Sequence, residues 1–103
     1  MKKYPAIALI ELSSIAKGIL AVDAMLKCAP ISLIKSGTVS KGKFLILIGG
    51  SVASVELAFK EGIKKGDSTV VDCVHLPDIH PQVHDAMWAL VSQELMTRLR
   101  QSN

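Results

Sequence analysis

At 103 residues the chain has room for one domain around one core. Half of the residues are hydrophobic but only 4% are aromatic, so that core is built from Ala, Val, Ile, Leu and Met. The net charge of +3 is spread with no basic cluster longer than two residues, which argues against nucleic acid as a partner. A mean hydropathy of +0.39 is high for a domain with 20% charged residues and points to an oligomer whose contacts cover surplus apolar surface.

The start, Met1-Lys2-Lys3-Tyr4-Pro5, leads into an apolar stretch that Glu11 soon interrupts, so no signal peptide is expected, and the apolar run Phe44 to Ile48 is too short to span a membrane. Cys28 and Cys73 lack CxxC spacing and read as buried thiols in a reducing cytoplasm. Ala6 to Leu12 reads as a first strand, apolar on both faces. Ser13 and Ser14 offer caps to a helix on which Ile15, Ile19, Val22, Leu26 and Ala29 recur at helical spacing, with Cys28 packed beside them. Pro30 ends that helix, because the residue before a proline avoids helical geometry. Ile31 to Lys35 is a second strand, and the small, basic turn Ser36 to Gly42 makes a hairpin into a third, Phe44 to Ile48. Gly49 and Gly50 break that strand and Ser51 caps a second helix, with Val52, Val55, Phe59 and Ile63 on one face. Gly66 is expected to close it as a left-handed cap. Ser68 to Leu76 is a fourth strand, and Pro81 opens a last helix at about 81–100 bearing Val83, Met87, Trp88, Leu90, Val91 and Leu95.

The order β-α-β-β-α-β predicts an α+β, ferredoxin-like fold: a four-stranded antiparallel sheet with both helices on one face and an added C-terminal helix. One domain is expected over 1–103, with its core at about 5–80.

Across roughly residues 5–80 the chain resembles the bacterial microcompartment shell-protein (BMC) domain. The resemblance is carried by Ala8-Leu9-Ile10-Glu11 ending the first strand, and by Asp23-Ala24-Met25-Leu26-Lys27, similar to the family's Asp-Ala-Met-x-Lys. Ser40-Lys41-Gly42 stands where the family keeps a pore loop, and Gly50-Ser51-Val52-Ala53-Ser54-Val55 is similar to its Gly-Asp-Val-x-x-Val helix start. The resemblance implies a homohexameric tile in a shell around metabolic enzymes in the cytoplasm, meeting neighbouring tiles and the encapsulated enzymes. It implies a pore ringed by Ser40, Lys41 and Gly42, and a tile edge at Lys27. Where the family often has an arginine after the last strand's proline, Asp78 follows Pro77, and a carboxylate cannot replace a donor-only guanidinium. Some divergent members carry a pore cysteine that holds an iron–sulfur cluster. Ser40 stands in that place, and a hydroxyl is a poor substitute for a thiolate on iron, so no cofactor is expected.

The residues themselves leave alternatives. Lys41 and Lys43 fit a solvated hairpin as well as a charged rim, and strand alternation points Lys43 away from the direction of Phe44. His80 and His84 have zinc-like spacing, with Cys73 and His75 nearby, but no second pair of strong ligands accompanies them. Glu11 is placed to pair with a lysine or to accept backbone hydrogens at the following helix start. Asp72 reads as solvated, and Ser14 has no histidine base, so no enzyme is expected. A trimeric ferredoxin-like regulatory protein, binding an anionic effector at the Ser36 to Gly42 loop, is the alternative on the same plan.

Overall fold

The computed structural model describes residues 4–39 and 42–77, together with Gln93 and Thr97. Four strands, β1 (Ala6–Leu12), β2 (Ser32–Thr38), β3 (Phe44–Gly50) and β4 (Val70–Leu76), form one antiparallel sheet in the order β2-β3-β1-β4. Helix α1 (Ile15–Cys28) joins β1 to β2, and α2 (Val52–Gly66) with a short 3-10 turn (Asp67–Thr69) joins β3 to β4. The expected α+β plan of a four-stranded antiparallel sheet with two helices is what is observed.

The central strands are buried on both faces. Alternate residues Ala6, Ala8, Ile10 and Leu12 of β1 and Phe44, Ile46 and Ile48 of β3 meet Ala21, Met25 and Ala29 beside α2's Val55 and Ala58. The intervening residues Leu9, Leu45 and Leu47 form a second cluster with Val39 on the opposite face. That double burial is why β1 and β3 read as continuous apolar runs instead of alternating ones. The helix expected at about 81–100 falls outside the described residues, except that Gln93 and Thr97 are helical and the Thr97 hydroxyl donates to the Gln93 carbonyl oxygen (2.9 Å).

Both helix starts are capped as expected: the Ser14 and Ser51 hydroxyls accept from the Lys17 and Ser54 backbone N–H, each at 3.2 Å. The packed faces meet the expectation in part: Val22 and Ala29 of the first stripe and Val55, Phe59 and Ile63 of the second pack on the core. On α1 the buried residues are Gly18, Ala21 and Met25, whereas Ile15, Ile19 and Leu26 are exposed, Ile19 by 57%. On α2 they are Val55, Ala58, Gly62 and Gly66, and Val52 is exposed. The reason is distance. A Cβ on Gly18 would lie 2.3 Å from the Phe44 ring, and one on Gly62 would lie 2.5 Å from Met25 Sδ and 2.8 Å from Ile10 Cδ1. At Gly18 and Gly62 the helices approach the sheet and each other too closely for any side chain, while Met25 and Val55 fill the space beside them.

Gly66 belongs to this set. It keeps a right-handed φ of −72°, and a Cβ there would meet Leu12 Cδ2 at 2.6 Å. The residue with positive φ (50°) is Asp67, whose N–H donates to the Ile63 carbonyl, so the expected left-handed glycine cap is corrected to an aspartate. The strands also run further than the sequence pattern suggested. β2 extends to Thr38 and β3 through the glycine pair to Gly50, because backbone pairing (Thr38 with Phe44, Ala6 with Gly50) continues past the apolar residues. β4 starts at Val70 instead of Ser68, since Asp67–Thr69 is a turn of 3-10 helix.

Gly18→Ala is expected to lower unfolding stability by about 1–3 kcal/mol, because Phe44 must move to admit the methyl. Gly37→Ala, where an added Cβ meets nothing within 4 Å, is expected to change it by no more than about 0.5 kcal/mol. Urea unfolding curves that shift equally for the two would show that α1 does not rest on the sheet at Gly18.

Candidate functional site

The hairpin turn between β2 and β3 is held from several sides. Val39 is buried in the second cluster with Leu9, Leu45 and Leu47, and its N–H donates to the Lys43 carbonyl at 2.8 Å. Gly42 has φ +80° and open space around its α-carbon, so the backbone and not crowding calls for glycine there. Beside the turn, Lys35, Ser36, Gly37, Thr38, Val39 and Leu45 line a groove of about 280 Å³.

Glu11 supplies the electrostatics of this end of the sheet. It is 7% exposed and its Oε2 lies 3.9 Å from Lys43 Nζ, so the first of the two roles open to it, pairing with a lysine, is met. Glu11 lies opposite Leu45, on the sheet face away from the helices, whereas Phe44 packs on the helix side. Lys43 is therefore directed away from Phe44, as strand alternation implied. The lysine could not be identified beforehand, because only the β1–β3 register brings a residue 32 positions away alongside.

Among the residues singled out from sequence, Gly42 lies exposed in this turn, while Ser40, Lys41 and Asp78 lie outside the described residues. Lys27 stands in the last turn of α1, its ammonium 2.9 Å from Asp23 Oδ2 one helical turn earlier, and both side chains are well exposed. The seven residues of β2 separate Lys27 from the turn, roughly 20 Å of strand, so the two form separate sites.

The two thiols are exposed, not buried as expected. Cys28 lies at the end of α1, off the stripe of Ala21, Met25 and Ala29, and its thiol donates to the Met25 carbonyl (3.4 Å). Cys73 lies on the edge strand β4, where only β1 pairs with it among the described residues. His75 stacks on Phe59 with ring centroids 4.8 Å apart, and its Nε2 has no hydrogen-bond partner among the described residues. Asp72 is exposed, as expected, and its Oδ1 accepts the Cys73 N–H (2.9 Å). His80 and His84 fall outside the described residues, among which no three His, Cys, Asp or Glu side chains converge as a metal site.

Asp23→Asn is expected to cost no more than about 0.5 kcal/mol in thermal unfolding, because both partners of the Lys27 pair are solvated. A loss above about 1 kcal/mol would show that the pair carries more than a surface contact.

The BMC-domain family matches residues 6–79. The chain is 45% identical over 87 residues to the bacterial microcompartment shell protein PduT of Citrobacter freundii, covering 84% of this chain and 47% of that protein. It is also similar to the crystal structure of a microcompartment protein from Desulfitobacterium hafniense, with 43% identity and a TM-score of 0.70 over 82% of this chain and 47% of the other. The chain thus spans about half the length of both relatives.

Proposed function

The chain belongs to the BMC-domain family, and from that premise we propose that it is a structural tile in the shell of a bacterial microcompartment within the cytoplasm. It assembles as a homohexamer, tiles with neighbouring shell proteins around the enclosed enzymes, and passes small polar metabolites through a central opening. It acts by assembly and passive diffusion, not by catalysis.

The observation that carries this reading is the apolar surface left open at the two sheet edges. Ile15, Ile19 and Leu26 form one exposed stripe on α1, and Leu33 of β2, opposite Ile48, faces the same helix side. At the other edge Val71 and Val74 of β4 are exposed. Two unlike edges that both need cover favour a head-to-tail contact, and such contacts close into rings when the rotation allows.

In that ring Ser40, Lys41 and Gly42 line the opening, and repeated copies of Lys41 concentrate positive field there and favour anions. A serine hydroxyl does not suit an iron–sulfur cluster, and the tile is proposed without one. Lys27 and Asp78 lie at the tile edge, where a carboxylate alters the hydrogen bonds open to the neighbour.

Native mass spectrometry is expected to give a species near six 11.0 kDa chains, about 66 kDa. A trimer near 33 kDa would overturn the tile in favour of the regulatory alternative. Lys41→Ala is expected to lower anion permeation, and Lys27→Ala to abolish extended sheets in electron micrographs while leaving the hexamer intact. Sheets that form normally from the Lys27→Ala protein would remove Lys27 from the edge.

A further inference from the structure

We infer that Glu11 is a positioning residue for the β2–β3 turn: it ties Lys43 back to the sheet and withholds that lysine's charge from the opening. The tie stands on the structure, and its effect on charge selection rests on the pore reading above.

Glu11 is the one charged residue in the buried set among the described residues. A carboxylate in that position costs free energy unless a cation or hydrogen-bond donors meet it. The sheet register sharpens the demand. On β4 the residue directly opposite Glu11 is Asp72, and like charges opposite one another on neighbouring strands repel. Lys43 Nζ, 3.9 Å from Glu11 Oε2, brings the opposite charge to this end of the sheet. The lysine side chain stays 43% exposed while that of Glu11 is 9% exposed, so the lysine reaches in from the rim to an acid fixed on β1.

Lys43 is also the residue whose carbonyl accepts the Val39 N–H and closes the turn. Side-chain tie and backbone closure therefore meet at one residue, and Glu11 restrains the turn through it. With Lys43 answered by Glu11, the charge that the turn offers a passing solute is that of Lys41. In a closed ring the same cancellation repeats in every copy, so Glu11 sets how strongly the opening discriminates anions from cations without lining it.

The test combines hydrogen exchange at the Val39 amide with the reversal potential of the assembled protein in a planar bilayer under a potassium chloride gradient. Glu11→Gln and Lys43→Gln are each expected to speed Val39 exchange by about tenfold, and the double variant to be no faster than either. Glu11→Gln is expected to move the reversal potential toward anions, because a freed Lys43 adds its charge, whereas the double variant does not. A Glu11→Gln protein that assembles with unchanged Val39 exchange overturns the inference. Should that variant fail to fold, Lys43→Gln, altered on a half-exposed side chain, decides alone: faster Val39 exchange supports the tie and unchanged exchange overturns it. Faster exchange with a reversal potential that neither Glu11→Gln nor Lys41→Ala moves keeps the tie and overturns the pore reading.

Discussion

The constraint on which the structure depends is the burial of β1 and β3 on both faces. Every residue of β1 is buried, as are the first six of β3. A strand pair in that position must lie at the centre of the sheet, which leaves β2 and β4 as edges. It also needs a cover on each side, and α1 and α2 supply one of the two. The one acid in β1 then becomes the exception that the rest must answer. Glu11 stands where an apolar residue would satisfy the core, and Lys43, just after the β2–β3 turn, brings its ammonium within 3.9 Å of the carboxylate. Sheet order, turn position and the pairing of a buried charge follow from the same two strands.

Much of this was legible in the chain. Ala6 to Ile10 and Phe44 to Ile48 announce themselves because strands buried on both faces read as apolar runs. Ser14 and Ser51 are readable as caps because the hydroxyl that accepts a first-turn N–H is a local feature. Gly42 is readable as a turn glycine for the same reason. What failed is what depends on distance through space. β2 continues through Ser36 and Gly37 because their backbones pair with Ile46 and Leu45, and edge pairing leaves little trace in side-chain polarity. The partner of Glu11 is set by register and not by spacing, so the acid could be flagged but its lysine could not.

The helix faces were legible only in part: Val22, Ala29, Val55, Phe59 and Ile63 pack on the core as expected, whereas Ile15, Ile19, Leu26 and Val52 are exposed. The exposed Ile15, Ile19 and Leu26 share a stripe, but the stripe against the sheet is that of Gly18, Ala21 and Met25, and at Gly18 it has no room for a larger side chain. Two criteria compete on a helix, apolarity and size. In a layer this thin, size decides which stripe turns inward.

That choice has a consequence for assembly. When glycine and alanine occupy the inward stripe, the larger aliphatic side chains of the same helix are displaced to its flank. The chain then exposes Ile15, Ile19, Leu20 and Leu26 on α1 and Leu57 on α2. Exposure of one such residue is ordinary, but a stripe of them beside an open strand edge is not. The close approach that makes the single layer compact is thus what leaves its edges apolar. The surplus hydropathy evident in the composition is not spread at random; much of it stands along the flanks where another copy can cover it.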